Sequence, residues 1–334
     1  MIDASVLVVG GGAIGGVTAA RLTGAVRRVV VLDADREHVA RLRQGLRLDA
    51  LGDERRVAVD AHADPAELAD PFDFALVTVK AAQHEAALRP LATSHAARTF
   101  VSLGNGLVQD RVASLVGEDR LVAGIVEWGA TNLGPGHLAQ TTRGPFVVGE
   151  LDGPPQERTW RLAQVLAPAA ETRVSDGMRA RIWAKLLVNS VFSGLGTVAG
   201  TTYDGVVTHP AGRAAALAMW REGYAVGRAQ GLELGEVLGV EAAALADPAR
   251  ADAALDRAMS RHGATKASML QDLERGALTE VDVIDGAVVQ RGREHGVPTP
   301  LHERVVELIH AAERGERRPS LPALDELEVG HAIG

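Results

Sequence analysis

The chain has 334 residues, long enough for two domains, and its 46% hydrophobic content includes only 3% aromatics, so any core must be aliphatic. A formal charge of −8 argues against nucleic acid or an anionic membrane as partner, and the lack of cysteine excludes disulfides, thiolate metal sites and a cysteine nucleophile. Met1 to Ala4 lead into an apolar stretch with no basic segment before it, and no apolar run approaches the ~18 residues of a spanning helix, so a cytoplasmic protein with no membrane partner is expected.

Ser5 to Gly10 (SVLVVG) is a short β-branched run and reads as a strand. A helical pattern follows from Ile14 to Leu22, then a second strand from Arg27 to Asp35. Phe72 to Lys80 and Thr99 to Gly106 are continuous apolar strands, with helices read at Glu37 to Gln44 and Glu85 to Leu91 between them. Shorter strands are expected at Leu121 to Val126 and Phe146 to Gly149. Strands alternating with helices imply an α/β fold with a doubly wound parallel sheet. After about Ser175 the texture becomes helical: Arg179 to Leu195, Ala211 to Gln230, Asp247 to Arg261, Ala264 to Arg275, Glu280 to Glu294 and Leu301 to Arg314. The expected organisation is a dinucleotide-binding Rossmann domain over 1–175, an all-helical domain over 176–314, and a loosely ordered tail over 315–334.

Gly10, Gly12 and Gly15 form G-x-G-x-x-G between a strand and a helix. Glycines there permit a tight turn and let backbone N–H groups approach a pyrophosphate, whose charge the helix N-terminus favours. Gly10, Gly12, Ala13, Ile14 and Gly15 are therefore the expected cradle; a purely structural turn is the plain alternative. Asp33 ends the second strand 18 residues past Gly15, where an acid accepts the ribose hydroxyls of NAD. Its charge, with Asp35, disfavours the 2′-phosphate of NADP, while Arg36 is a counter-signal. An ordinary strand-end acid is the alternative for Asp33.

Of 35 basic residues only Lys80, Lys185 and Lys266 are lysine. Lys185 lies in an apolar stretch, WAKLLVNSV, where arginine could not serve as a proton donor near neutral pH. Lys185, Asn189 and Ser193 are spaced i, i+4, i+8 and so share one face of a helix. Burial lowers the pKa of a lysine, which suits it to protonate a developing alkoxide. A snorkelling lysine beside a satisfied core amide is the alternative. Further on, a helix is expected to end near Gly276 and another to start at Thr279, with Asp282 in the capping-box position and Glu280 in the first turn. Simple capping explains Glu280 equally well, and Ser268 could be an ordinary helix hydroxyl.

These blocks together resemble the ketopantoate reductase (2-dehydropantoate 2-reductase) family over roughly Val6 to Leu308. The resemblance rests on Gly10 to Gly15, VTVKAAQ with Lys80, GNG with Asn105, WAKLLVN with Lys185 and Asn189, and SMLQD…TEVDVIDG with Ser268 and Glu280. It implies a Rossmann domain, a helical domain and a site in the cleft between them. It further implies that Lys185 is the general acid, that Glu280 orients lysine and substrate, and that Asn189 and Ser268 hold substrate. Lys80 and Asn105 would stand where nicotinamide meets substrate. Ser193 replaces a second substrate-binding asparagine usual in the biosynthetic enzymes, and Asp33 and Asp35 occupy a region that is basic in NADP-dependent members.

The expected function is nicotinamide-dependent reduction of a 2-oxo acid to a 2-hydroxy acid in pantothenate biosynthesis, with NAD(H) favoured, NADP(H) open and no metal. An NAD-dependent D-2-hydroxyacid dehydrogenase acting on a bulkier acid is the rival, and a non-catalytic dinucleotide sensor is the alternative of another class. The expected partners are a small 2-oxo or 2-hydroxy acid and, as an option, a second copy of the chain. The 11 histidines are scattered, and His84, His262 and His302 read as surface or structural.

Overall fold

The computed structural model describes residues 1–327, which form two compact units: Met1–Gly104 with Val108–Met178, and Asn105–Leu107 with Arg179 onward. The first unit is built on an eight-stranded sheet. In chain order its strands and helices begin β1 (Ile2–Val9), α1 (Ala13–Leu22), β2 (Val26–Leu32), α2 (Arg36–Gly45), β3 (Leu46–Ala50), β4 (Asp53–Val57) and β5 (Asp60–His62). They continue with β6 (Phe72–Val77), α3 (His84–Thr93), β7 (Ala97–Ser102), α4 (Gln109–Val116), β8 (Leu121–Val126), β9 (Ala130–Gly134), β10 (His137–Gln140), β11 (Phe146–Gly149), α5 (Glu157–Leu166) and β12 (Thr172–Val174).

The sheet order is β12-β11-β8-β7-β6-β1-β2-β5. All neighbours run parallel except β11 against β8. The apolar runs at β1, β2, β6 and β7 are buried because helices cover both faces of a parallel sheet. The chain leaves β1 toward β2 and β5, then returns to β6 on the other side, so β1 and β6 flank the topological switch point. In sheets of this kind ligands bind beyond the carboxyl ends of the strands at that place.

A second sheet, β4-β3-β10-β9, was absent from the sequence expectation. Its first hairpin turns through Leu51 and Gly52, both at positive φ, and all of β4 is exposed or nearly so. A strand reading DERRV carries no apolar alternation, so periodicity could not reveal it.

The second unit is helical: α6 (Met178–Val188), α7 (Gly194–Ala199), α8 (Tyr203–Thr208), α9 (Pro210–Ala229), a two-residue hairpin β13 (Glu236–Val237) with β14 (Val240–Glu241), α10 (Ala242–Ala246), α11 (Ala251–His262), α12 (Ser268–Glu274), α13 (Asp285–His295) and α14 (Pro300–Glu313). Between α6 and α7 the chain makes a π-helical turn, Asn189–Ser193, so that 178–199 is one continuous helical path. Its core is formed by Trp183, Leu187, Phe192, Trp220, Val288 and Leu308 with their neighbours. The path 178–199 corrects the expectation of no spanning-length helix: it is long and apolar enough by length and composition, but 83% of its most apolar stretch is buried inside the unit. The segment expected to be a loose tail is also corrected over 315–327. Ala323, Leu324 and Leu327 enter the core, Ser320 N–H bonds Val198 O at 3.0 Å, and Arg317 pairs with Glu326. Ala323 and Leu324 in the 3-10 helix Leu321–Glu326, with Leu327 just after it, supply the burial that mixed charge concealed. Residues 328–334 of that tail lie outside the described residues.

Candidate active site

The glycine loop divides its roles by position. Gly10 has φ +99°, and a Cβ there would stand 2.8 Å from the Val79 side chain, so only glycine makes the turn. A Cβ on Gly15 would stand 2.0 Å from Gly10 O, which lets α1 pack tightly against β1. Gly12 differs: a Cβ would meet nothing within 4 Å. That open position caps α1, whose N-terminus has neither a side-chain cap nor an acid in its first turn. Exposed N–H groups and an uncompensated positive dipole end fit a pyrophosphate. Ala13 and Ile14 are the first two residues of that helix.

Asp33 is anchored at the edge of the loop. Its Oδ2 accepts Gly11 N–H at 2.7 Å and its Oδ1 accepts Asp35 N–H at 2.9 Å. Asp35 caps α2, accepting the N–H groups of Glu37 and His38 at 3.0 Å, and Arg36 is exposed as the first residue of α2. Sequence reasoning missed His38. It is buried, with Nε2 2.7 Å from Gly11 O and Nδ1 accepting Gly136 N–H at 3.0 Å, so it ties the loop to the β9–β10 turn. The signal was faint, one histidine beside the few apolar residues of a largely polar helix. Across the switch point Thr78 donates to Gly10 O at 2.8 Å, and Lys80, half-buried, follows β6 two residues later.

The other sequence candidates lie in the helical unit. Lys185 and Asn189 are half-buried, one turn apart, on a path whose remaining side chains are mostly buried. Ser193 does not continue their row into an accessible position: it is buried, and its hydroxyl lies 2.8 Å from the Tyr203 hydroxyl. The i, i+8 spacing assumed α-helix throughout, whereas the π turn has a wider repeat and resets the faces. Ser268 is exposed at the start of α12, which packs against the π turn and α7. Asn105 opens the three-residue segment that belongs to this unit, and Leu107 N–H bonds Val283 O at 2.8 Å. Glu280 precedes the 3-10 turn Val281–Val283; its side chain does not cap that turn, while the Thr279 hydroxyl accepts Val281 N–H. Lys266, given no role from sequence, is exposed and pairs with Glu274 at 2.6 Å.

Two further polar groups were given no part in the site from sequence. Asp285, five residues past Glu280, is fully buried. Its oxygens find no hydrogen-bond partner among the described residues beyond an approach from its own backbone N–H. Burial pushes its carboxyl well above the usual carboxylate range, against the smaller opposing effect of that N–H. His302 is also fully buried and lies between Glu222 and Ser190. Among the described residues no three His, Asp or Glu side chains come together as metal ligands.

Comparison with known proteins fits this arrangement. Residues 6–153 match the family model described as ketopantoate reductase PanE/ApbA, and residues 177–313 match its C-terminal counterpart. The chain belongs to the ketopantoate reductase family. The 2-dehydropantoate 2-reductase of Mesorhizobium japonicum is 30% identical over 339 residues, covering 93% of this chain and 98% of its own. That of Halobacterium salinarum is 29% identical, covering 92% and 99%. A PanE/ApbA family ketopantoate reductase from Ralstonia eutropha superposes with a TM-score of 0.79 at 27% identity, covering 93% of this chain and 99% of its own. D-mandelate dehydrogenase in ternary complex with NADH and anilino(oxo)acetate has the same fold, with a TM-score of 0.81 at 23% identity and coverage of 93% and 98%. The protein is accordingly an oxidoreductase acting on CH–OH groups with a nicotinamide cofactor.

Proposed function

We propose that the protein reduces a 2-oxo acid to the 2-hydroxy acid, with ketopantoate as the first candidate substrate, Lys185 as general acid and NADH as the preferred cofactor. The observation that carries this reading is the half-buried Lys185 one turn before Asn189, on a helical path otherwise given over to core packing. An ammonium group beside a neutral amide suits proton donation to a substrate oxygen. The bound nicotinamide supplies a hydride to C2 of the substrate. As the carbonyl electron pair moves onto oxygen, the Lys185 ammonium donates its proton there and the neutral amine is recharged from solvent. Asn189, Asn105 and Ser268 provide neutral hydrogen-bonding groups for the carboxylate and the carbonyl, and Glu280 orients the ammonium. Positioning and charge stabilisation then account for the catalysis.

One feature favours a second reading, an NADH-dependent D-2-hydroxyacid dehydrogenase acting on a bulkier acid: the Ser193 hydroxyl is turned to Tyr203, which removes a polar contact expected for ketopantoate. Steady-state rates for NADH and NADPH against ketopantoate and against short, branched and aromatic 2-oxo acids decide between them. Highest kcat/KM with ketopantoate supports the first reading. Preference for an aromatic or branched acid supports the second, and no turnover with any of them removes both.

A further inference from the structure

We propose that Ser190 and His302, both buried, form with the half-buried Glu222 a relay that holds the π-helical turn of the Lys185 helix, making His302 a positioning residue for Asn189 and Lys185. The positioning role rests on the functional reading of those two residues; the holding role does not.

His302 is fully buried at the start of α14, with Nδ1 2.9 Å from Glu222 Oε2 and Nε2 3.3 Å from Ser190 Oγ. Glu222 comes from the middle of α9 and also accepts the N–H groups of Leu301 and His302 at 3.1 and 3.3 Å, so it caps α14 while it orients the ring. With Nδ1–H donated to that carboxylate, Nε2 and Leu187 O, each 3.3 Å from Ser190 Oγ, are alternative acceptors for the one Ser190 hydroxyl proton. The order serine, histidine, acid is that of a hydrolytic triad, yet Ser190 has no exposed surface and no acyl substrate can reach it. Its partners are all framework, so the arrangement holds rather than attacks.

What it holds is specific. Ser190 follows Asn189 and is the second residue of the π turn, in which Gly194 N–H bonds Asn189 O five residues back. A π turn is a costly interruption of an α-helix and persists only where its surroundings favour it. The preceding turn is tied to the same helix α9: Trp183 Nε1–H donates to Gly223 O at 3.1 Å. A Cβ on Gly223 would stand 2.3 Å from Leu187, and one on Gly227 would stand 2.5 Å from Trp183 Nε1, so α6 lies close against α9. Lys185 and Asn189 are thus carried on a stretch fixed at Trp183 on one side and at Ser190 on the other. A displacement of about 1 Å at a reacting group can cost about 10²-fold in rate, which gives such fixing kinetic weight.

The test uses the full-length protein with Ser190→Ala, His302→Gln and the double variant. Turnover is measured with the best 2-oxo acid, cofactor dissociation constants by fluorescence, and backbone hydrogen exchange over 186–194 by mass spectrometry. The relay predicts a fall in kcat of about 10- to 100-fold in each single variant, unchanged cofactor binding, and a double variant no slower than the worse single, because the three groups act as a unit. Exchange over 186–194 should accelerate in all of them. Ser190→Ala deletes one hydroxyl and keeps the test decisive where His302→Gln does not fold. Lower thermal stability with unchanged kcat in folded Ser190→Ala overturns the positioning role, as does unchanged exchange in that segment. If the unmodified protein turns over no 2-oxo acid, the proposed function fails, and exchange alone then decides whether the relay holds the turn.

Discussion

The Asp285 carboxyl oxygens lie 3.0 and 3.2 Å from where a Cβ would stand on Gly194, the residue that follows the π turn. The acid is fully buried there and finds no partner among the described residues other than its own N–H. A folded-state pKa raised by burial means that the native protein keeps this proton after the unfolded chain has lost it. The contribution to stability is therefore full below the unfolded value of about 4 and is lost as pH rises through the folded value. Asp285→Asn removes the titration. Denaturant unfolding of both proteins should show the variant gaining on the unmodified protein by up to about 1.4 kcal/mol per pH unit above pH ~4, levelling off once Asp285 ionises in the fold. A stability difference that does not change between pH 4 and 8 would mean that the carboxyl ionises as freely folded as unfolded.

Ser193 gives a second stability prediction. Its hydroxyl and that of Tyr203 satisfy one another in the core, and burial raises the Tyr203 phenol despite that hydrogen bond. Ser193→Ala strands the phenol and should cost about 1–3 kcal/mol, while Ser193→Ala with Tyr203→Phe should recover part of the loss. KM for the 2-oxo acid should change little in either. A large rise in KM with intact stability would return Ser193 to the substrate.

The contrast between Ser193 and the glycine loop shows what was legible. Gly10 and Gly15 could be read because each meets a steric demand of its own turn, and Gly12 because it completes the same motif within six residues as the open cap of α1. Strands β8 and β11 matched their expected bounds for a similar reason, since a continuous apolar run flanked by polar residues is a local signal. Helices read from periodicity fared unevenly. The run from Glu280 is a 3-10 turn followed by α13, because Ile284 leaves helical geometry, with φ −107° and ψ −86°. Ser193, Asp285 and the Glu222–His302 pair depend on partners 10 to 80 residues away or on burial, and no spacing within one helix encodes those. The π turn is the sharpest case: a sequence that reads as uniform α-helix changes repeat at the site where facing matters most.

Removing the proposed acid should separate chemistry from binding. Lys185→Ala is expected to lower kcat by at least ~10²-fold with cofactor dissociation constants little changed. Lys185→Arg keeps the charge but does not release a proton near neutral pH, so it should recover little. Stopped-flow single-turnover rates make the comparison without interference from product release. An Arg variant with near-normal turnover would remove the general-acid assignment.

Glu280 stands before a 3-10 turn that its side chain does not cap. Glu280→Gln keeps the size of the side chain and removes its charge, so the 3-10 turn should keep its geometry. Turnover at saturating substrate should fall, and cofactor affinity should hold. Unchanged kinetics together with lowered stability would assign Glu280 to the framework of the turn instead.

Cofactor choice turns on how Asp33 and its neighbours spend their charge. A carboxylate offers about four acceptor sites, and Asp33 uses two of them on the N–H groups of Gly11 and Asp35. The remaining sites suit a pair of ribose hydroxyls, while the same charge opposes a 2′-phosphate by ~1–3 kcal/mol. Asp35 contributes less, because its side chain already serves the N–H groups that open α2. Arg36 is exposed at that helix start and can offset the repulsion by turning toward the phosphate. Without an offset from Arg36, the same energy predicts a preference for NADH over NADPH of about 5- to 150-fold in affinity. Asp33→Ser should narrow the ratio by weakening NADH more than NADPH, with some loss for both because the Gly11 N–H loses its charged acceptor. Dissociation constants for both cofactors on the unmodified protein, Asp33→Ser and Arg36→Ala decide the matter. Tighter NADPH binding by the unmodified protein, abolished in Arg36→Ala, would show that the arginine and not the aspartate sets the preference.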